Sequence, residues 1–334
     1  MKNIPNIHMS IKLEGRGKAA FFGWMVGNSL GVTNELYTKT DATNNTLKNK
    51  NFINGLVGGG VFNYQPGQFS GSIELGLTIM NVLMTEGTYD QSKVASEYHL
   101  WYKSAPKDIG AVLSRTFRNE TATAMINSAR KENNASLDNE FLTRIPPLII
   151  FYQKKERISM LHALKADLEL TNSNPELIYI SFSYGCILHA AIAGESKESV
   201  YNAGRLEFPR DSLAKIIYET VDNGRDTFIY QGTIFTYAEI HGQNFSFVGF
   251  PFWLTLRAIK TTNSYRDVMI HISNLGGDTD RNCCIVGSVI GAMYPSTIPS
   301  KWISSVENWF DPQRWLDYPI SAPAYWKRWL SNKK

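Results

Sequence analysis

Gly23, Gly27 and Gly31 recur at every fourth position through an otherwise apolar stretch, Lys18 to Leu30. That spacing stacks them along one face of a helix. With no Cβ atoms, the face admits a second backbone at close range, although each glycine weakens the helix by up to about 1 kcal/mol. The chain must therefore bury this helix tightly against another. No run approaches 18 apolar residues, so the contact is expected inside a globular core and not between membrane spans.

Helical periodicity continues almost throughout. Apolar faces mark Ile73 to Thr85, Gln91 to Lys103, a helix from Asp108 through Arg118, and Asn119 to Lys131. Further helices are expected at Leu148 to Ala166, Pro175 to Ala193, Asp211 to Asn223, Pro251 to Thr261, Asn263 to Leu275, Arg281 to Tyr294 and Pro299 to Trp309. Thr38 to Lys50 is polar and reads as an exposed loop, as does Lys131 to Asn139, which runs on to Arg144-Ile145-Pro146-Pro147. Only Thr227 to Thr236 looks strand-like, enough for one short hairpin. No linker or composition shift divides the 334 residues, so the expectation is one all-α domain, 1–334.

A 43% hydrophobic and 19% charged composition supplies an ordinary globular core. The net charge of +4 is spread without a basic stripe, which argues against nucleic acid as a partner. Lys327-Arg328 and Lys333-Lys334 supply part of it and read as a solvated basic tail. Cys186, Cys283 and Cys284 have no metal-ligand spacing and read as reduced, buried thiols. The N-terminus shows no leader-like apolar run. An intracellular, cytoplasmic protein without membrane attachment is expected.

Chemistry concentrates at Gly276-Gly277-Asp278-Thr279-Asp280, between two helices. Two carboxylates beside a hydroxyl can hold a hard divalent cation through oxygen. Acidic residues before a helix also serve as caps, and the motif alone leaves both readings open.

The surrounding motifs narrow the choice. The acidic segment, a helix ending Gly291-Ala292-Met293-Tyr294, and Ile298-Pro299 with Trp302 resemble the C-terminal signature of the ADP-ribosylglycohydrolases. Four further segments agree in order: Gly23 to Gly31 with Glu35, Pro66-Gly67-Gln68-Phe69, Trp101-Tyr102 to Asp108-Ile109-Gly110, and Asn139 to Leu148. The resemblance covers about residues 17 to 310. It implies an orthogonal helical bundle whose cleft holds two Mg²⁺ or Mn²⁺ ions. These position the ribose of an ADP-ribosyl group while its bond to an acceptor side chain is hydrolysed. The partner it implies is ADP-ribose or an ADP-ribosylated protein. Glu35 and Asp108 stand at acidic positions suited to glycoside cleavage, with the roles of N-cap for Asp108 and surface residue for Glu35 as alternatives. Asn28, Ser136 and Asn139 fall at substrate-facing positions.

The sequence also departs from the pattern. The first metal motif is Ser70-Gly71-Ser72-Ile73, with Ser70 and Ser72 in ligand positions and no carboxylate. In the last motif, Asp278 and Asp280 remain, but Arg281 replaces a ligand threonine. Its guanidinium either stands where a metal stood, neutralising Asp278 and Asp280, or points to solvent. Asp138 and Glu140 replace glycines of a substrate-approaching loop, where their charges would repel a diphosphate. Thr171 or Asn172 with Pro175 reads as a helix start, and His189 as a core residue. Trp302, Trp309, Trp315, Trp326 and Trp329 read as packing for the C-terminal segment. Three functions follow as possibilities: a hydrolase with an unorthodox and attenuated site, an inert module binding ADP-ribose or another nucleotide, or a protein-interaction use of the fold.

Overall fold

The computed structural model of the chain describes residues 13–49, 54–242 and 244–330; Lys333-Lys334 lie outside them. Its helices are α1 (Gly15–Gly31), α2 (Lys39–Lys48), α3 (Gly71–Glu86), α4 (Gln91–Lys103), α5 (Ala111–Phe117) and α6 (Ala122–Glu132). Next come α7 (Glu140–Arg144), α8 (Pro146–Tyr152), α9 (Arg157–Glu169), α10 (Pro175–Ala193), α11 (Lys197–Ala203) and α12 (Leu213–Asp222). After the hairpin β1 (Thr227–Tyr230) and β2 (Thr233–Thr236) follow α13 (Gly249–Thr261), α14 (Tyr265–Ser273), α15 (Thr279–Met293), α16 (Ser300–Asn308), α17 (Pro312–Asp317) and α18 (Pro323–Trp326). The fold is all-α, with one antiparallel hairpin in the register Thr227↔Thr236 to Tyr230↔Thr233.

The glycine face of α1 meets α15, which is buried over almost its whole length. A Cβ added at Gly23, Gly27 or Gly31 would stand 2.2–2.3 Å from the carbonyl oxygens of Gly287, Cys283 and Thr279 respectively. Gly287 and Gly291 answer from the opposite side, where added Cβ atoms would meet the oxygens of Gly23 and Ala19. Thr279 closes the junction by donating its hydroxyl to the Gly31 carbonyl at 2.6 Å. Residues at the C-terminal end of α1 thereby face residues at the N-terminal end of α15.

Several expectations need correction. Thr38 to Lys50 is not a loop, since α2 occupies most of it. Thr38 caps the helix by accepting from the Asp41 N–H, and Asn45 and Thr46 donate to Asn34 and Asn274. Only Ala42 is buried, so polar docking holds a helix that apolar periodicity does not reveal. Leu148 to Ala166 is two helices, broken where Lys155 donates to the carbonyl of Gly87. Helix α10 starts at Asn174, whose side chain accepts from the Glu176 N–H. Thr171 is instead buried against Arg144. The segment around Arg144 is helical as well, and its guanidinium, wholly buried, pairs with Asp167 at 2.8 Å. Tyr89 and Tyr98 donate to the same carboxylate.

By length and composition α10 is apolar enough to cross a membrane, but 67% of its apolar window is buried inside the fold, as in a core helix. Nor is the C-terminal segment a free tail up to Leu330. Trp326 and Trp329 are buried, and Arg328 stacks 3.7 Å over the Tyr325 ring while donating to Asn81. Trp302 and Trp309 are also buried, whereas Trp315 is 44% exposed. Arg314 fixes this segment to α3 by donating to both carboxylate oxygens of Glu74, at 2.7 and 2.5 Å.

Candidate functional site

Two glycines and a strained residue bring the acidic groups together. Gly276 and Gly277, both at φ +73, turn the chain between α14 and α15 so tightly that a Cβ on either would meet backbone. Gly277 accepts from the Leu36 N–H at 2.8 Å, and its own N–H donates to the Tyr37 carbonyl at 2.9 Å. Leu36 holds φ +62, a conformation costly for a leucine. The exchange of bonds pins Glu35, just beyond α1, beside the turn that carries Asp278 and Asp280. One carboxylate oxygen from each of Glu35, Asp278 and Asp280 lies within 4.8 Å of the others.

All three are buried: Glu35 is 4% exposed, Asp278 2% and Asp280 0%. Glu35 is therefore no surface residue. Asp278 holds the N-cap position of α15, yet its side chain bonds no N–H of the first turn. It accepts from Asn139 Nδ2 at 2.8 Å instead. The cap alternative thus fails at Asp278.

At the start of α3, neutral donors face Asp280. Ser70 donates to Asp280 Oδ2 at 2.8 Å, and Asn28 Nδ2 approaches the same oxygen at 3.3 Å. Asn28 Oδ1 accepts from the Ser70 N–H, so Asn28 clamps the start of α3 to α15. Ser72 is buried in the first turn of α3, with no bond to the acidic group among the described residues. A Cβ at Gly71 would meet Trp101 Cζ2 at 2.7 Å, and that indole is held by its N–H donated to Glu74. Space for an aspartate at position 71 is missing.

Arg281 is 8% exposed and turns inward. Its guanidinium lies 3.5 Å from each of Asp138, Glu140 and Asp278, and donates to Asn139 Oδ1. Among the described residues no ion pair reaches Asp280, so of the two expected partners Arg281 meets only Asp278. Asp138 and Glu140 are consequently not free charges facing a diphosphate; both are engaged by Arg281. Glu140 fits because Gly110 opposite it has no Cβ, which would stand 2.6 Å from Oε2. Ser136 is half-buried and accepts from the Asp138 N–H, so it shapes the loop and contacts none of the carboxylates. The Asn139 N–H donates to Ser246, which ties the loop to the segment before α13.

Burial pushes the Glu35 carboxyl up to about 10, with Asp280, Asp108 and Asp278 adding to the effect and Arg281 opposing it. Asp278 is raised well above the carboxylate range, chiefly by burial. Asp108 is half-buried and raised by burial, against the pull of Arg281. It caps no helix, since Gly110 precedes α5. Tyr64, which no motif indicates, also borders the site: among the described residues its buried hydroxyl has no partner, and burial first, then Glu35, Asp108 and Asp280, raise its pKa. It hangs on the loop Gly58-Gly59-Gly60, all at positive φ, whose last Cβ would strike the Val32 carbonyl at 2.0 Å.

The donor set suits a divalent cation. Among the described residues Glu35 Oε2 and Asp280 Oδ1 are buried without hydrogen-bond partners, and hard oxygens in that condition want a cation or a proton.

The described residues thus form an all-α fold with a buried, oxygen-rich acidic group between the end of one helix and the start of another. The profile of the ADP-ribosylglycohydrolases matches residues 9–326, and the chain belongs to that family. A protein of Acanthamoeba polyphaga mimivirus, provisionally named an ADP-ribosyl glycohydrolase, is 40% identical over 96% of this chain and all of its own length. The ADP-ribosyl-[dinitrogen reductase] glycohydrolase of Rhodospirillum rubrum is 24% identical, covering 91% of this chain and 92% of that protein. The ADP-ribosylarginine hydrolase Tri1 of Serratia proteamaculans is 23% identical over 87% of this chain and 75% of its own. Among solved structures, a chain of an ADP-ribosylglycohydrolase-related protein complex superposes with a TM-score of 0.66 at 19% identity, covering 95% and 98% of the two chains. That likeness bears on the fold.

Proposed function

We propose that this chain hydrolyses the glycosidic bond between ADP-ribose and an acceptor side chain on a protein, at an attenuated rate. The observation that carries the reading is the buried group of Glu35, Asp278 and Asp280 with two unpartnered carboxylate oxygens. These three residues would hold a Mg²⁺ or Mn²⁺ ion, which when bound supplies electrostatic stabilisation to the ribose oxygens. Asp108, half-buried and keeping its proton to higher pH than a free aspartate, serves as the acid for the departing acceptor. Asn28 and Ser70 hold Asp280 in place, and Asn139 does the same for Asp278. Attenuation follows from the missing carboxylates of the first motif, since serine hydroxyls bind a hard cation more weakly than charged oxygens.

The test is release of ADP-ribose from arginine- and serine-linked ADP-ribosyl peptides with Mg²⁺ or Mn²⁺ present. Slow turnover lost in Asp278→Asn and Asp108→Asn supports the reading; release no faster than in buffer on either acceptor ends it. The bonds from Ser70 and Asn28 to Asp280, neutral where the family is charged, favour a second reading as an inert ADP-ribose-binding module. Saturable calorimetric binding of ADP-ribose without turnover would establish that one.

A further inference from the structure

We infer that Arg281 is a built-in cation, and that the cleft takes a single divalent ion between Glu35, Asp278 and Asp280 while this side chain supplies the charge a second ion would bring. The inference rests on the reading of this cleft as a cation-carrying site. It names which charges are mobile and which are part of the chain.

The first support is the division of oxygens. Asp138 Oδ1, Glu140 Oε1 and Asp278 Oδ2 all stand 3.5 Å from Arg281, and two of them accept further bonds from the Glu140 N–H and Asn139. Among the described residues the buried Glu35 Oε2 and Asp280 Oδ1 accept none and lie outside the ion-pair reach of Arg281; Glu140 Oε2 accepts none either, but its carboxylate is paired through Oε1. The guanidinium is equidistant from three carboxylates and bidentate to none of them, so it sits among them as a central charge. The second support is the charge count. Glu35, Asp138, Glu140, Asp278 and Asp280 are acidic and buried or half-buried, and among the described residues Arg281 is the cation that pairs with three of them, Asp138, Glu140 and Asp278. One positive charge leaves an excess that only protons or a further cation can relieve. The third is space. Ser70 and Asn28 occupy Asp280 Oδ2, Trp101 fills the place that a side chain at position 71 would need, and the first-turn carboxylate of α3, Glu74, is taken by Trp101 and Arg314, so α3 has no free carboxylate for a second ion.

Arg281, Asp138 and Glu140 are thus one ionic group. Asp138 and Glu140 give the guanidinium the counter-charge it needs in a buried place, and Gly110 leaves the room for it.

The experiment is titration of the full chain with Mn²⁺, read by calorimetry and by electron paramagnetic resonance. The expected result is one equivalent with the spectrum of an isolated ion. Two equivalents, a spin-coupled pair, or no binding at millimolar Mn²⁺ would each overturn the inference. In Arg281→Ala, Asp138, Glu140 and Asp278 lose their counter-charge, and stoichiometry should rise from one to two. Arg281→Lys should stay at one, and a single equivalent in the alanine variant would remove Arg281 from the role. Should Arg281→Ala fail to fold, the Asp138→Asn, Glu140→Gln, Arg281→Met variant, which removes the whole ionic group, decides: it keeps Glu35, Asp278 and Asp280 and should bind one ion, and its failure to bind sinks the assignment. Peptide hydrolysis is scored separately. Two ions with turnover would remove this inference and leave the hydrolase, while one ion without turnover would do the reverse.

Discussion

Gly71, Trp101 and Arg281 show how much a single position decides in this cleft. A carboxylate at position 71 would stand next along the chain to Ser70, which bonds Asp280, yet the Cβ it needs falls 2.7 Å from an indole fixed by Glu74. Gly71→Asp alone should therefore cost about 1–3 kcal/mol through overpacking, visible as a lower Tm, and should add no metal equivalent. An unchanged Tm would show that Trp101 yields easily. Glu140 offers a test through pH. Burial pushes its carboxyl up to about 7 from an ordinary 4.5, with Arg281 opposing the shift. Between those values the folded protein holds a proton that the unfolded chain has released, so this group favours folding below pH 4.5 and loses that contribution as pH rises to 7. Thermal melts should show Glu140→Gln flattening the decline over that window; an identical profile would mean that other groups dominate it.

At the scale of elements, the pairing of α1 with α15 sets the site. The four-residue glycine spacing is a sequence pattern, and its consequence was legible: a second backbone at close range. Which helix supplies it was not, because several apolar helices offer suitable faces and only Gly287 and Gly291 match the pitch of α1. Gly27→Ala would drive a methyl to 2.3 Å from the Cys283 carbonyl, where backbone cannot yield cheaply. We expect destabilisation of about 1–3 kcal/mol or more and weaker cation binding, since Asn28 next to it holds Ser70 and Asp280. Calorimetry of Mn²⁺ binding on the folded fraction separates the two effects. Helix α2 illustrates the opposite case. Its stability lies in a threonine cap and in asparagine and threonine bonds to Asn34 and Asn274, so a search for apolar faces passes over it.

The whole molecule is closed by its C-terminal segment. Arg314 spans from α17 to Glu74 and to Ser104, and Thr78 and Tyr318 share a short hydrogen bond beside it. Glu74 also holds the Trp101 indole, so the same ion pair ties the C-terminal segment to the residue that crowds the start of α3. Removing one partner of a nearly buried pair leaves the other charge stranded, at a cost of about 3–5 kcal/mol. Arg314→Met should accordingly expose the segment from α17 onward to limited proteolysis while the remainder stays resistant; unaltered cleavage would show the tryptophans suffice. Taken by itself, the sequence determined the helical class, the membership of a family and the acidic segment with Asp278 and Asp280, because periodicity, breakers and ordered motifs are local properties. Only the tertiary structure decided that Glu35 joins Asp278 and Asp280, that Tyr64 borders them, and that Asp138, Glu140 and Arg281 form one ionic group. Those groups lie far apart along the chain, and their charges compensate one another only where backbone turns at Leu36, Gly276 and Gly277 bring them into one buried place of low dielectric.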